Sequence, residues 1–206
     1  MTLRKGLFIT LEGPEGSGKS SQSRRVVQAL RRMGRVAVLI RDPGSTALGR
    51  RLRRMLLHSD VSITPLTEAL LFIGGRVALV EERIRPAMAR GAVVVCDRFH
   101  DSTVAYQGFG GGVDPRWLDR LGRQAVHGVM PDVTIVLDLP VKDGFARLHR
   151  SKDRMERRAL LFHTKVRGGY LTLARRDPRR IKVLDARQSP EMLRSQILKL
   201  VQQRLR

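Results

Sequence analysis

A glycine-rich stretch near the beginning of the chain has the residue types and spacing that bind phosphate groups. The segment Gly13-Pro14-Glu15-Gly16-Ser17-Gly18-Lys19-Ser20 fits the pattern G-x-x-x-x-G-K-[ST], between a strand-like run and a stretch with helical spacing. In such a loop the backbone N–H groups curl round the phosphates, and the helix N-terminus adds partial positive charge. We expect Lys19 to reach the β- and γ-phosphates and the Ser20 hydroxyl to reach Mg²⁺. The segment therefore predicts a nucleoside triphosphate site.

A carboxylate and a guanidinium follow another apolar run, Val93 to Cys96. The carboxyl ends of parallel strands face the ligand crevice, so Asp97 and Arg98 are expected beside the phosphate loop. Asp97 is then a candidate for binding Mg²⁺ or its waters, and Arg98 can bind a second phosphate through two parallel hydrogen bonds. A strand-end ion pair with no binding role is the alternative.

An aromatic ring and a guanidinium share one helix face further along the chain. Phe72 and Arg76 are four residues apart, which is about one helical turn. A planar ring beside a planar donor can stack on a nucleobase and hydrogen-bond its edge. Phe72 packed beneath a surface arginine is an equally good interpretation of this spacing.

The most charged internal segment extends from Arg147 to Arg158. Its basic residues are Arg147, Arg150, Lys152, Arg154, Arg157 and Arg158. Such a run is usually a solvated helix face. In an enzyme that transfers phosphoryl groups it can instead form a lid, which closes over the triphosphate and excludes water.

Runs rich in β-branched residues alternate with longer stretches of helical spacing. Strands are predicted at Leu7 to Leu11, Val36 to Ile40, Val93 to Cys96, Val133 to Leu139 and Ile181 to Leu184. This alternation is typical of a parallel sheet covered by helices on both faces. With the phosphate loop, it predicts an α/β protein with a three-layer P-loop NTPase fold, whose five-stranded parallel sheet is flanked by helices. We expect residues 1–206 to form a single domain, with a lid segment at about 147–158.

Proline and glycine positions mark several element boundaries. A capping residue before proline predicts helix starts at Thr64-Pro65, Asp114-Pro115 and Ser189-Pro190. After Thr64, one long helix with a core-facing stripe is predicted from Leu66, Leu70, Ile73, Val77, Val80, Ile84 and Met88. The cluster Gly108 to Gly112 predicts a flexible loop.

Composition limits the classes of partner and compartment. The 206 residues carry 40 Lys and Arg against 19 Asp and Glu, a formal net charge of +21. That charge attracts polyanions, but aromatic residues make up only 4% of the chain and offer little stacking surface, so nucleic-acid binding is not expected. No apolar run approaches the ~20 residues of a membrane span. The absence of a cleavage-like site and a core-like single cysteine, Cys96, favour a cytoplasmic protein.

The motifs taken together resemble those of thymidylate kinases over nearly the whole chain. The likeness rests on Glu12 to Ser20, Arg41-Asp42-Pro43-Gly44, Leu71-Phe72 with Arg76, Asp97-Arg98-Phe99, Ser102-Thr103, Ala105-Tyr106-Gln107-Gly108, Pro131-Asp132, Leu137-Asp138, Asp153-Arg154-Met155-Glu156, Val166-Arg167, Gly169-Tyr170-Leu171 and Val183-Leu184-Asp185-Ala186. Each motif is weak alone, but their shared order and spacing are specific. The resemblance implies phosphorylation of dTMP to dTDP with Mg-ATP as donor, in dTTP biosynthesis, by a homodimer packed through helices.

The resemblance also implies a site for the thymine base of the acceptor. In it Phe72 stacks on thymine, and Arg76 and Arg53 help to hold the base. Thr103 and Gln107 contact its polar edge.

The same resemblance places the sugar and phosphate of the acceptor. Arg98 would bind the 5′-phosphate, while Glu15 and Tyr106 would lie near the sugar, where a close-fitting ring disfavours a 2′-hydroxyl. Asp42 and Pro43 belong to the same site, and Asp42 stands where the family usually has a glutamate. A carboxylate is thus kept on a shorter arm.

The catalytic arginines are expected in the lid segment. Members of the family whose phosphate loop lacks an arginine use a basic lid, and residues 14–17 contain none. The resemblance therefore implies that Arg150 and Arg154 are the catalytic lid residues, with Arg147 behind them. Lys19, Mg²⁺ and the lid would stabilise charge in the transition state, and Arg98 would position the acceptor. Ser20 and Asp97 would be the metal ligands.

Other functions remain open from the sequence alone. One alternative is that the chain phosphorylates another (deoxy)nucleoside monophosphate, or a deoxynucleoside. A phosphate clamp at Arg98 argues against a neutral acceptor. The chain can also be a nucleic-acid-binding P-loop ATPase, which would show nucleic-acid-stimulated hydrolysis and steep salt dependence. A nucleotide-binding regulator without turnover is disfavoured by the intact Lys19, Asp97 and Arg98.

Overall fold

Parallel strands built from β-branched and apolar residues form the centre of the molecule. The computed structural model describes residues 6–58, 60–148 and 153–205, and its strands are β1 (Leu7–Glu12), β2 (Ala37–Arg41), β3 (Val93–Asp97), β4 (Val133–Asp138) and β5 (Ile181–Asp185). They lie in the order β2-β3-β1-β4-β5, and all neighbours are parallel. The predicted strands and the α/β class are confirmed, with strand ends shifted by one residue at most.

Helices connect the strands. They are α1 (Lys19–Arg32), α2 (Ala47–His58), α3 (Pro65–Leu79), α4 (Arg85–Ala89), α5 (His100–Thr103), α6 (Pro115–Ala125), α7 (Val141–Ala146), α8 (Leu160–Arg176) and α9 (Pro190–Leu205). Two π-helical turns follow α3 and α5, at Val80–Ile84 and Val104–Gly110. The three predicted helix starts are confirmed, since the Thr64, Asp114 and Ser189 side chains each accept a first-turn N–H. In the described parts of the chain, no helix has the length and apolar character needed to cross a membrane.

Alternation along the strands sends side chains into two apolar layers. On β1, Ile9 belongs to a buried cluster with Leu30 of α1 and Ile197 of α9. The next residue back, Phe8, packs instead with Leu79 at the end of α3. Because helices cover both faces of the sheet, the architecture has the three predicted layers.

The helix predicted after Thr64 continues through a π-helical turn. α3, the turn and α4 follow one another without a break from residue 65 to residue 89. Pro86 accounts for the change in hydrogen bonding, because it has no N–H to donate to the carbonyl of Glu82 one turn earlier.

The first turns of α3 face differently from the prediction. Leu66 and Leu70 were expected in the core but are 45% and 48% exposed, whereas Glu68 between them is fully buried. The later stripe residues Ile73 and Ile84 are buried as expected. Glu68 turns inward because it has ion-pair partners inside the molecule, which leaves the two leucines on the outer side.

The glycine cluster predicted as a flexible loop is helical over most of its length. The turn Val104–Gly110 packs against α8. A Cβ atom on Gly110 would lie 2.7 Å from the ring of Phe162 and 2.8 Å from Val166. The flexible-loop prediction is wrong because glycine here allows close packing between two helices.

A backbone contact between two glycines holds the phosphate loop against α7. A Cβ on Gly16 would overlap the carbonyl of Gly144, and a Cβ on Gly144 would overlap the carbonyl of Glu15. The two segments therefore approach at main-chain distance, which any side chain at either glycine would prevent.

Replacing Gly144 with alanine is expected to lower the thermal stability of the protein. The added methyl group must displace the phosphate-loop backbone, at a cost of about 1–3 kcal/mol. Gly168→Ala is the control, because a Cβ there meets nothing within 4 Å in the exposed part of α8. Thermal unfolding should show a lower Tm for G144A and an equal or higher Tm for G168A. Equal Tm values for G144A and wild type would contradict the described packing.

The last residue of β1 is a fully buried carboxylate. Glu12 accepts the N–H of Phe99 at 2.7 Å on one oxygen and the hydroxyls of Ser102 (2.5 Å) and Tyr170 (3.1 Å) on the other. Burial, reinforced by the charge of Asp101, raises the pKa of Glu12 to about 7, although these hydrogen bonds favour the ionised form. Glu12 thus joins β1, α5 and α8 behind the phosphate loop.

Glu12 should make folding stability depend on pH. Its carboxyl loses the proton near pH 4.5 when unfolded but holds it to about pH 7 when folded. The folded state binds more protons in this window, so its free energy of unfolding should fall as pH rises from about 4.5 to 7, by up to about 3 kcal/mol. Denaturant unfolding of wild type and Glu12→Gln at pH 5, 6, 7 and 8 measures this, because the variant lacks the titrating group. Parallel pH profiles of the two proteins would refute the assignment.

Candidate active site

A cavity of about 690 Å³ lies at the carboxyl ends of the central strands. Its volume falls in the range of small-molecule sites. The predicted residues that line it are Glu15, Gly16, Gly18, Lys19, Ser20, Asp42, Pro43, Arg53, Phe72, Arg76, Asp97, Arg98, Thr103, Tyr106 and Gln107. Gly13, Pro14 and Ser17 shape the loop without being among its lining residues. The structure therefore brings the predicted donor and acceptor residues into one space.

The phosphate loop owes its curled shape to glycine conformations and internal hydrogen bonds. Positive φ angles occur at Gly13 (139°), Gly16 (69°) and Gly18 (86°). The Pro14 carbonyl accepts the Ser17 hydroxyl at 2.8 Å and the Lys19 ammonium at 2.7 Å. Burial, together with Arg98, lowers the pKa of Lys19 to about 8, against the opposing effect of nearby carboxylates. The lysine is thus folded back onto its own loop, at the N-terminus of α1.

Two oxygen-bearing side chains meet beside the loop. The Ser20 hydroxyl donates to Asp97 Oδ2 at 2.5 Å, so the predicted metal ligands are in contact. Arg41, at the end of β2, is 3.2 Å from the same oxygen and also lines the cavity. A hydroxyl and a carboxylate are the oxygen ligands that Mg²⁺ prefers, so the pair fits that ion.

Arg98 is fixed by more hydrogen bonds than any other predicted site residue described by the structure. Its guanidinium donates at 2.9–3.2 Å to Gly13 O, Glu15 Oε1, Ser102 Oγ, Tyr106 Oη and Tyr170 Oη. Its central carbon also lies 4.9 Å from the ring centroid of Tyr106. These partners connect the phosphate loop, the second π-helical turn and α8 through one planar cation.

Glu15 and Tyr106, both predicted near the sugar, are in direct contact. Tyr106 Oη donates to Glu15 Oε1 at 2.5 Å. Burial raises the pKa of Glu15, but the charges of Arg98 and Lys19 outweigh it and lower the pKa to about 2. Glu15 is therefore an anion at neutral pH, held by Arg98 and Tyr106 at the wall of the cavity.

Arg76 is a buried guanidinium with one donor left over. Its Nε donates to Asp42 Oδ2 at 2.5 Å, and its Nη2 donates to Thr103 Oγ1 at 2.9 Å. Arg76 Nη1 and Asp42 Oδ1 are buried and have no hydrogen-bond partner among the described residues. Both residues line the cavity, so an unsatisfied donor and an unsatisfied acceptor lie buried in its wall.

Phe72, Arg53 and Gln107 are the other residues predicted to bind the base. Phe72 is half-buried on the cavity wall, one turn earlier on α3. Arg53 Nη1 donates to the Pro43 carbonyl at 3.4 Å, and Gln107 Nε2 donates to Glu68 Oε2 at 3.1 Å.

The predicted lid arginines do not all lie at the cavity. Arg150 lies outside the described residues. Arg154 Nε donates to the Leu56 carbonyl at 2.8 Å, and its Nη2 is 2.7 Å from Glu68 Oε1. Its guanidinium does not line the cavity in the described part of the chain, whereas Arg147 does. A catalytic role for Arg154 thus requires it to leave Glu68, and that role stays a prediction.

Arg41 lines the cavity and Glu68 contacts Gln107, and no role was predicted for either residue. Arg41 stands directly before Asp42 at the end of β2, and a basic residue at a strand end is a signal for the ligand crevice. Glu68 lies four residues before Phe72 and eight before Arg76, on the same helix face. That spacing could have identified it, but an acidic residue in the first turn of a helix has an ordinary explanation in the helix dipole.

Comparisons with known proteins identify the family of this chain. Residues 11–197 match the family model for thymidylate kinase. The chain is 46% identical to the thymidylate kinase of Thermomicrobium roseum, covering 90% of each protein, and 43% identical to that of Deinococcus radiodurans, covering 98% and 99%. Its fold matches the crystal structure of thymidylate kinase from Ehrlichia chaffeensis with a TM-score of 0.79 and 30% identity, over 96% of this chain and 99% of that one. By its sequence and its fold, this chain belongs to the thymidylate kinase family.

Proposed function

We propose that the chain transfers the γ-phosphoryl group of Mg-ATP to the 5′-phosphate of dTMP, giving dTDP and ADP, in the route to dTTP. An acceptor phosphate oxygen forms a bond to the γ-phosphorus while the bond to the β,γ-bridging oxygen breaks, so no covalent enzyme intermediate is needed. The observation that supports this assignment is that the phosphate loop, Arg98 and the Phe72–Arg76 pair line one cavity.

The donor is assigned to the phosphate loop. Residues 13–20 would bind the ATP phosphates through their N–H groups and the N-terminus of α1. Lys19 would exchange its bond to the Pro14 carbonyl for phosphate oxygens, since its ammonium already lies at the loop. Ser20 and Asp97 would hold Mg²⁺, which when bound supplies positive charge to the phosphates.

The base of the acceptor is assigned to α3 and the second π-helical turn. Phe72 would stack on thymine, with Arg53 beside it. Arg76 Nη1 is a buried donor without a partner among the described residues, and a base carbonyl would satisfy it. Thr103 and Gln107 would meet the polar edge of the base.

The sugar and phosphate of the acceptor are assigned to the middle of the cavity. Arg98 would bind the 5′-phosphate, because its planar fork is already oriented by its many partners. Glu15 and Tyr106 would close the space beside the sugar against a 2′-hydroxyl. Asp42 and Pro43 belong to this side, where Asp42 also holds Arg76.

Charge in the transition state is assigned to Lys19 and to the lid segment. Arg147 already lines the cavity, and its Nη1 donates to the Ala186 carbonyl at 3.0 Å. Arg150 and Arg154 keep their proposed catalytic roles. Such lid arginines act by stabilising the charge spread over the transferring group.

Substitutions at Lys19 and Arg98 should separate catalysis from acceptor binding. Lys19→Ala is expected to lower kcat by about 100-fold or more, because a charge at the transferring group is lost. Arg98→Lys keeps the charge but loses the fork, so KM for dTMP should rise more than KM for ATP. A coupled ADP assay with dTMP, dUMP, dCMP, dGMP and thymidine as acceptors measures both effects. Lys165→Ala, an exposed change on α8, is the control.

Three results would contradict the proposed function. Near-wild-type rates for K19A would exclude the loop lysine from the transfer step. Equal use of all acceptors by the wild type would exclude a thymine-specific site, and preferred use of thymidine would exclude the phosphate clamp at Arg98.

The chain is proposed to form one cytoplasmic domain that assembles as a homodimer through helices. One sheet unites strands from residue 7 to residue 185, which supports a single domain. Apolar side chains are exposed on three neighbouring helices, at Leu48 of α2, at Leu66 and Leu70 of α3, and at Trp117 of α6. The single cysteine is unpaired and buried, as is common in a reducing compartment.

Leu70→Asp should convert the proposed dimer to a monomer. A charged side chain buried in an apolar contact loses its hydration. The contact area around one leucine is too small to compensate for that loss in free energy. Light scattering coupled to size exclusion at micromolar concentration measures the mass. Leu161→Asp is the control, since Leu161 is 65% exposed on α8. A wild type that is monomeric, or an L70D variant that stays dimeric, would overturn this interface.

A further inference from the structure

Glu68 is a buried carboxylate to which the proposed mechanism assigns no role. It lies in the first turn of α3 and has no exposed surface. Phe72 and Arg76 follow it at four and eight residues, on the same face of the helix. A carboxylate at this position therefore borders the proposed base site.

Arg154 and Arg158 keep Glu68 paired. Arg154 Nη2 is 2.7 Å and Arg158 Nη2 is 2.5 Å from the same oxygen, Glu68 Oε1. Burial of a carboxylate is costly unless it is paired and hydrogen-bonded, and two guanidinium groups provide that pairing. Paired with two guanidinium groups, the Glu68 carboxylate accepts hydrogen bonds and donates none.

The other oxygen of Glu68 fixes the orientation of the Gln107 amide. Gln107 Nε2 donates to Glu68 Oε2 at 3.1 Å. Only the NH₂ end of an amide can meet an ionised carboxylate, because the carbonyl end would face a second acceptor. The Oε1 atom is thus held on the opposite side of the amide from Glu68, and Gln107 lines the cavity.

We propose that Glu68 is the positioning residue for base selection: it holds Gln107 so that the amide oxygen accepts a ring N–H. Thymine and uracil carry a hydrogen on N3, whereas cytosine presents a lone pair there. An amide free to turn could serve either base, and an amide held by Glu68 serves only the first kind. This inference rests on the proposed function and extends it to a residue that does not touch the acceptor.

The test compares acceptors in a double-mutant cycle. Glu68→Gln replaces the carboxylate by a group that can both donate and accept, so Gln107 can turn over. The ratio of kcat/KM for dTMP to that for dCMP is then expected to fall about tenfold, the value of one misplaced hydrogen bond. In a Gln107→Leu background the same Glu68→Gln change should leave the ratio unaltered, because its effect passes through Gln107.

Controls separate this role from a merely structural one. Glu82→Gln removes an exposed carboxylate further along the same helical segment and should leave the ratio at the wild-type value. Should E68Q fail to fold, Glu68→Gln combined with Arg158→Met keeps the local charge balanced and carries the same prediction. Circular dichroism and thermal unfolding establish which variant is used.

The test distinguishes failure of the role of Glu68 from failure of the proposed function. A wild-type acceptor ratio in folded E68Q, or an equal loss of ratio with and without Gln107, would overturn the role of Glu68. A wild type that does not phosphorylate dTMP would overturn the proposed function itself. A wild type that prefers dTMP over dCMP, with a reduced ratio in E68Q only when Gln107 is present, supports the inference.

Discussion

The guanidinium of Arg98 joins the two sides of the cavity, and the arrangement of both depends on it. On one side it holds Gly13 and Glu15 of the phosphate loop, and on the other it holds Tyr106. Its backbone has a φ of 68°, a conformation that costs energy for a residue with a side chain and that the N–H bond to Leu11 O helps to fix. Without this cation, Glu15 would be a buried anion with fewer donors. The contacts with Gly13, Glu15 and Tyr106 therefore require a planar, permanently charged group at this position.

The phosphate loop and the proposed metal ligands could be predicted from short stretches of the sequence. Gly16, Lys19 and Ser20 act through the turn between a strand and a helix, and all the information for that turn lies within a few residues. Asp97 was predictable for a related reason, because the end of a parallel strand has a known position relative to the loop. Asp97 ends β3, the strand next to β1, and its carboxylate lies 2.5 Å from the Ser20 hydroxyl.

Residues whose role depends on distant partners could not be assigned from their spacing. Periodicity finds the stripe on α3 but does not say that Glu68 turns inward to meet Arg154 and Arg158. Arginine also proved less of a surface residue than composition suggests. Arg76 is buried on Asp42, and Arg180 binds both oxygens of buried Asp101. Some of the arginines are thus buried in ion pairs inside the protein. Composition alone cannot distinguish them from arginines on a polyanion-binding surface.

The burial of the single cysteine has a practical consequence. Cys96 lies in the core beneath the cavity, and burial raises the pKa of its thiol, with nearby carboxylates acting in the same direction. Thiol reagents attack the thiolate, so we expect Cys96 to react with them only slowly in the folded protein. A cysteine introduced at exposed Arg157 would then be the one site that takes a fluorophore or spin label. A label at this position would report by spectroscopy on whether the proposed lid segment moves when nucleotides bind.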